Sequence, residues 1–251
     1  MAKGNLGIGT SGWNYEHWRG LFYSKDLPQS RWLDFYSRHF NTVEINYSFY
    51  RLPEKKTFEE WHRSTPANFS FTAKVSRFYT HMKKLSLPEK NLSRFLENAA
   101  GLAGKLSAIL FQLPPFWNVN SERLSQLAAY LKTQKILPGI RCVLEVRNRT
   151  WLSEEVFRIL KDHNISLCLA DWPDLRVDGP ITADFVYVRR HGPSALYASH
   201  YTHQELEADD RRIRQWLAAG KDVHAYFNND AMAWAVKNAL ELKKMLSIMG
   251  K

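Results

Sequence analysis

Short apolar runs alternate with longer stretches of helical period along the whole chain, the pattern of a parallel sheet joined by crossover helices. Eight runs have the length and β-forming composition of strands: residues 6–10, 42–47, 69–75, 107–112, 141–147, 166–170, 185–189 and 223–227. Eight strands close a (β/α) barrel. The expected fold is therefore α/β, a TIM (β/α)8-type barrel forming a single domain over residues 1–251. Leu124, Leu127, Ala128 and Leu131 stand at i, i+3, i+4 and i+7, and Ala235, Asn238, Ala239 and Leu242 repeat that spacing, so each set predicts a helix with one buried stripe. Ser86 with Glu89 and Thr202 with Glu205 fit the capping-box spacing and predict helix starts. The link after the sixth run, residues 172–184, carries Pro173, Gly179 and Pro180 with little helical period and predicts an irregular crossover.

The runs are not uniformly apolar. A parallel strand covered on both faces should read as nearly continuous hydrophobic sequence. The stretch FVYVRRHG at 185–192 instead places Tyr187, Arg189 and His191 on one face and Val186, Val188 and Arg190 on the other. Other runs share this parity. Glu44 pairs with Asn46, Ser70 and Thr72 with Lys74, Glu145 with Arg147, and His224 and Tyr226 with Asn228, while the fourth and sixth runs end in Gln112 and Asp171. In a barrel these faces line the interior, and residues at the C-terminal ends of the strands converge where such folds hold their sites. Three acids, Glu44, Glu145 and Asp171, stand against three bases, Lys74, Arg147 and Arg189. That set would also suit a closed ion-pair network, but so many charged groups at strand ends favour a functional site. Aromatic residues follow the same strand ends: Trp13, Tyr15, Trp18, Tyr47, Phe49, Tyr50, Phe78, Trp117, Trp151 and Trp172. Singly each suits a core or lid; clustered, such rings stack on bases or sugars.

The formal charge of +10 suits an anionic partner, either a nucleic acid or a phosphorylated metabolite, and equally a solvated surface that only keeps the protein in solution. No apolar run has the length of a membrane span, and no signal-peptide core follows Met1, so a cytoplasmic protein without a membrane partner is expected. Cys142 and Cys168 lie inside strand-like runs and read as small buried hydrophobes rather than a disulfide.

Seven ordered motifs go further. TSGWNYEHWRGLFY at 10–23, VEINYSFYRLP at 43–53, FTAKVSRFYTH at 71–81, LFQLPP at 110–115, LEVRNRTW at 144–151, VYVRRHG at 186–192 and YFNND at 226–230 resemble the YecE-like family, also called domain of unknown function 72. The resemblance implies a TIM barrel. It also implies a likeness to barrels of the endonuclease IV and xylose isomerase type, and with it DNA binding or phosphodiester chemistry. The positions that match the family motifs are Trp13, Glu44, Asn46, Lys74, Gln112, Glu145, Arg147, Asp171, Tyr187, Arg189, His191 and Asn228. Arg190 stands where the family carries an apolar residue, and its parity makes it a packing or surface group. An endonuclease IV type of site needs several histidines and carboxylates around a metal cluster. Here only His191 and His224 have inward parity, without HxH or HExxH spacing, so no cofactor is expected. A single Mg²⁺ or Mn²⁺ on Glu44, Glu145 and Asp171 is the alternative.

These residues predict a metal-independent enzyme, a hydrolase or lyase, acting on a small or nucleotide-like anionic substrate. Arg147, Arg189 and Lys74 would hold the anion, Glu44 or Glu145 would act as general acid or base, and His191 would shuttle a proton beside Asp171. Trp13, Asn46, Gln112, Tyr187, Tyr226 and Asn228 would contact the substrate. Lys74 as a Schiff-base nucleophile and a two-carboxylate glycosidase are enzymatic variants. The rivals from other classes are a nucleic-acid-binding protein or endonuclease IV-like phosphodiesterase, and a non-catalytic interaction scaffold; the fold alone does not choose among them. Oligomeric state is not written in the sequence.

Overall fold

A computed structural model of the chain describes residues 4–87, 90–172 and 174–248. The strands are β1 (Leu6–Thr10), β2 (Thr42–Ile45), β3 (Ser70–Lys74), β4 (Leu106–Gln112), β5 (Arg141–Glu145), β6 (Ile165–Trp172), β7 (Leu175–Val177), β8 (Phe185–Arg190) and β9 (Asp222–Phe227). Between and after them run α1 (Trp32–Ser37), α2 (Tyr47–Tyr50), α3 (Lys55–Arg63), α4 (Lys90–Ala99), α5 (Ser121–Thr133), α6 (Glu154–Asp162), α7 (His203–Ala218) and α8 (Trp234–Ile248). The strand order is β1-β9-β8-β6-β5-β4-β3-β2, with β7 attached to β6. A parallel bridge between Ser11 and Glu44 brings the order back from β2 to β1. This is the (β/α)8 TIM-type barrel topology that the alternation of runs predicts.

The chain packs as two compact units. The first takes residues 4–44, 169–172, 174–177 and 185–248; the second takes 45–87, 90–168 and 178–184.

In the first unit β9 lies between β1 and β8, both parallel to it. Gly9 permits a close approach there, because a Cβ at that position would lie 2.2 Å from the Thr42 carbonyl oxygen. The Tyr36 hydroxyl of α1 accepts from Thr10 N at 2.8 Å and donates to Thr42 O at 3.2 Å, satisfying backbone groups that this approach would otherwise leave exposed. The predicted start of α7 is a full capping box, with Thr202 accepting from Glu205 N and Glu205 accepting from Thr202 N. The predicted stripe of α8, Ala235, Asn238, Ala239 and Leu242, is buried. Asn238 keeps its polar group there because its amide bonds both backbone groups of Tyr201, at 2.9 and 3.1 Å.

The crossover after β6 is irregular as predicted, and among the described residues no helix joins β6 to β8. It holds a ninth strand that the eight runs did not foresee. Leu175 and Val177 are buried and Arg176 is exposed, an alternation three residues long that pairs antiparallel with β6.

In the second unit β3, β4 and β5 pair in parallel, and α5 buries the predicted Leu124, Leu127, Ala128 and Leu131. Asn120 caps α5 by accepting from Arg123 N at 2.8 Å. The second strand is shorter than its run: Asn46 turns into the helical region and Tyr47 opens α2. Cys142 and Cys168 are both buried and not joined in a disulfide, and burial pushes the Cys142 thiol up to about 12. Glu89, and with it the Ser86 capping box, lies outside the described residues, as do Pro173 and Met1. No described helix is long and apolar enough to cross a membrane.

Candidate active site

The predicted site residues assemble into two hydrogen-bonded groups, one inside each unit. The first group forms because β8 presents Tyr187 and Arg189 on one face while β2 presents Glu44. Arg189 donates from Nε to Glu44 Oε2 at 3.0 Å and from Nη2 to Oε1 at 2.6 Å, and the Tyr187 hydroxyl donates to Oε2 at 2.6 Å. Glu44 and Arg189 are both 0% exposed. This is the two-pronged geometry in which guanidinium and carboxylate attract most strongly. Burial and the Glu44 charge hold the Tyr187 phenol well above its ordinary range, so it stays a donor.

Around this pair the polar groups consume one another. Arg189 Nη2 also reaches Ser11 Oγ at 3.3 Å. The ring of His191 has Arg189 Nη1 3.4 Å from Nε2 and Asn228 Nδ2 3.1 Å from Nδ1. Both ring nitrogens face side-chain nitrogens, and protonating the ring would set a second cation against Arg189. Asp171 is a backbone clasp: Oδ1 accepts from His191 N at 2.7 Å and Oδ2 accepts from the Tyr201 hydroxyl, which itself accepts from Gly192 N at 2.7 Å. Gly192 has φ +117°, a conformation open to glycine. Tyr226 bonds Thr42 Oγ1 at 2.7 Å, and Trp13 is buried with its carbonyl accepting from Tyr23. Arg190, on the opposite face of β8, is a packing group. It pairs with Asp209 of α7 through Nε at 2.7 Å and through Nη2; burial disfavours its charge, but the adjacent carboxylate prevails and raises its pKa.

The second group lies at the C-terminal ends of β3, β4 and β5. Glu145, fully buried, accepts from Gln112 Nε2 at 3.1 and 3.0 Å and from Arg147 Nε at 3.0 Å. Lys74 ends β3 with Nζ 4.0 Å from the centroid of the Phe49 ring, a cation over an aromatic face. Directly after β3 the chain makes a π-helical turn, Phe78–Met82, closed by Lys83 N donating to Phe78 O at 2.9 Å. Such turns are rare and gather at functional sites. This one carries His81, whose ring packs T-shaped on that of Phe49 with centroids 5.2 Å apart and whose Nδ1 lies 2.9 Å from Thr80 Oγ1. Burial, then the charges of Lys74, Arg77 and Arg147, push the imidazole down to about 4; Glu145 offsets part of this. Asn46 stands at the N-cap position of α2, without a side-chain cap hydrogen bond, and is half-buried.

Sequence reasoning missed His81, Ser11 and Tyr201. His81 closes the FTAKVSRFYTH motif and Ser11 sits within TSGW, so both were in view; Tyr201 offered no local signal. Among the described residues no three His, Cys, Asp or Glu side chains stand together as metal ligands. The aromatic residues also divide. Trp13, Trp18, Trp117 and Trp151 are buried, whereas Tyr47 is 52% and Tyr50 81% exposed. Tyr50 lies against Phe49 at 5.1 Å, one ring away from Lys74 and His81.

The comparisons with known proteins agree with this architecture. A family model described as "Protein of unknown function DUF72" matches residues 7–251. The chain is 28% identical over 273 residues to the UPF0759 protein YunF of Bacillus subtilis, covering 96% of this chain and 94% of YunF. It superposes on the crystal structure of a DUF72 family protein from Thermotoga maritima with a TM-score of 0.84 at 27% identity, covering 96% of this chain and 99% of the other. SacUVDE shares the fold alone, with a TM-score of 0.55 at 8% identity over 97% of this chain and 98% of its own. With the motifs in order along the chain and the match spanning nearly all of it, the chain belongs to the DUF72 family.

Proposed function

We propose that the chain is an enzyme acting on a small, nucleotide-like anion at the Lys74, Arg147 and Glu145 group, with hydrolase or lyase chemistry that uses side chains as acid and base. The observation that carries this reading is the gathering of cations there: Lys74, Arg77 and Arg147 all act on the same half-buried His81, beside the carboxylate of Glu145. Cations gathered in this way favour an anion. Arg147 and Lys74 hold it, Gln112 fixes the Glu145 carboxylate, and Glu145 is the acid–base group. The exposed ring of Tyr50 offers a stacking face for a base.

Calorimetric titration of adenosine 5′-monophosphate into wild type and Arg147→Ala tests the reading. Losing a charge-assisted hydrogen bond of about 1.5–3 kcal/mol predicts roughly 10- to 150-fold weaker binding. Absence of binding to wild type, or equal affinity in the variant, overturns it. The exposed rings together with the +10 charge favour one second reading, single-stranded nucleic acid. Oligonucleotide binding followed by tryptophan fluorescence, tight at low salt and falling steeply as salt rises, would move the assignment there.

A further inference from the structure

We propose that the segments following β3 and β4 in the second unit form a docking surface for an acidic protein segment that carries apolar side chains. It uses none of the residues that hold the anion above, and stands or falls apart from that reading.

The surface is built from large apolar side chains left in water. Phe78 and Met82 stand exposed on the π-helical turn after β3, and Phe116 and Val119 stand exposed after β4, the strand paired with it. Phe116 is 97% exposed and Met82 68%. Single exposed apolar residues are ordinary on a protein, but a group of them marks an interaction site. The two segments are joined, because Arg123 in the first turn of α5 donates from Nη1 to Lys84 O at 3.0 Å, just past the turn. Neither is a loose loop. Trp117 is buried and its carbonyl accepts from Trp151 Nε1 at 2.8 Å, Pro115 O accepts from Asn148 Nδ2 at 2.9 Å, and Val119 N donates to Thr150 Oγ1 at 2.9 Å. Phe116 is thus held out between anchored neighbours. Phe78 O accepts from Lys83 N at 2.9 Å, and the Lys83 ammonium lies 5.5 Å from the Phe78 ring centroid. Side chains fixed in this way lose little freedom when a partner covers them.

Charge selects the partner. Residues 76–87 hold Arg77, Lys83 and Lys84 and no acid, and residues 113–120 hold no charged residue. Arg77, Lys83 and Arg149, which stands between the anchoring Asn148 and Thr150, are exposed, and among the described residues none of the three meets a carboxylate. A second copy of the chain fits poorly, since a symmetric contact would set these cations against themselves. Bases fit poorly, since Met82 and Val119 have no π-face and Lys83 already lies over the Phe78 ring. Hydrocarbon fits poorly, since Asn118, exposed between Phe116 and Val119, would carry its amide into it. An acidic segment meets all three features: carboxylates for the cations, apolar side chains for the rings, and a peptide backbone for the amide.

Selection from a random peptide library displayed on phage, against the immobilised full chain, tests the surface. Enriched peptides should combine aspartate or glutamate with apolar residues, and a synthetic peptide of the enriched sequence, followed by fluorescence anisotropy, should bind less tightly as salt rises. Phe116→Ser, at a side chain that the fold leaves in water, should weaken that peptide about 30-fold, the size of an interface hot spot. Lys83→Glu should weaken it more at low salt than at high salt, and both variants should keep the thermal unfolding of wild type. No enrichment, enrichment of peptides without acids, or peptide binding that Phe116→Ser and Met82→Ser leave unchanged overturns the proposal. So does binding of a mixed-sequence single-stranded oligonucleotide, or of phosphatidylserine vesicles, that Phe116→Ser weakens when no acidic peptide binds; the patch then belongs to nucleic acid or to lipid.

Discussion

Glu44 and Glu145 each sit near the end of a strand and each meets an arginine, yet the two surroundings differ in what gathers round them. In the first unit Arg189 grips both oxygens of Glu44, Tyr187 adds a third donor, Arg190 is matched by Asp209, and Asp171 is spent on Tyr201 and a backbone amide. In the second unit Glu145 holds Arg147 through Nε, while Lys74 rests on an aromatic face and Arg77 is exposed. A guanidinium locked on both oxygens of a carboxylate has little left to give a ligand; several cations acting on one half-buried histidine set up a field that favours an anion. Two sets of the same residue types on equivalent strand ends can therefore do different work.

The largest expected effect breaks the closed set. Arg189→Met leaves the Glu44 carboxylate buried beside a lone phenol donor, and Glu44→Gln leaves the guanidinium without its counter-charge. Either should lower the unfolding free energy by about 3–5 kcal/mol in denaturant titrations. Glu145→Gln also removes the carboxylate that Arg147 meets, but the Arg147 side chain is 10% exposed where that of Arg189 is 0%, so water takes up part of its charge and the loss should be smaller, about 1–2 kcal/mol. Equal losses in the two units would show that the second network is as structural as the first.

A smaller effect is a pH dependence confined to the second unit. The unfolded chain protonates His81 near its ordinary value of about 6.5, whereas the fold delays protonation to about 4. Between those values the unfolded state binds more protons, so acidification removes stability from about pH 6.5 downward, and the loss is complete below about pH 4. His81→Gln should flatten this part of the stability profile. An unchanged profile in the variant would mean that the fall comes from other groups.

How much of this was legible in sequence follows from the range of each interaction. The strands were readable because their apolar runs end at turns and prolines, and period-two parity placed Glu145 with Arg147, two residues apart on one chain segment. Parity put Glu44 and Arg189 on inward faces too, but their pairing across 145 positions, and the arrival of Tyr201 at Asp171, are products of strand order rather than of local pattern. His81 escaped because a π-turn shifts the spacing on which helical reading depends. For the aromatic residues, apolarity alone does not say which rings are buried and which are exposed. Trp18 and Trp151 went inside where their indole N–H groups found carbonyls, at Asp230 O and Trp117 O, at 3.0 and 2.8 Å.

The smallest effect on stability carries the sharpest test of what the second unit recognises. Tyr50 is mostly solvent-exposed and touches the site through Phe49, so Tyr50→Ala should change the unfolding free energy by less than about 0.5 kcal/mol. If a base stacks on that ring, the same change removes about 1–3 kcal/mol of binding, weakening adenosine 5′-monophosphate by roughly 5- to 150-fold. Sulfate has no base, so its affinity should not move. A variant that loses nucleotide and keeps sulfate separates the stacking face from the cationic group; one that loses neither leaves an anion site with no preference for a nucleotide, since Lys74 and Arg147 recognise charge and only a ring recognises a base.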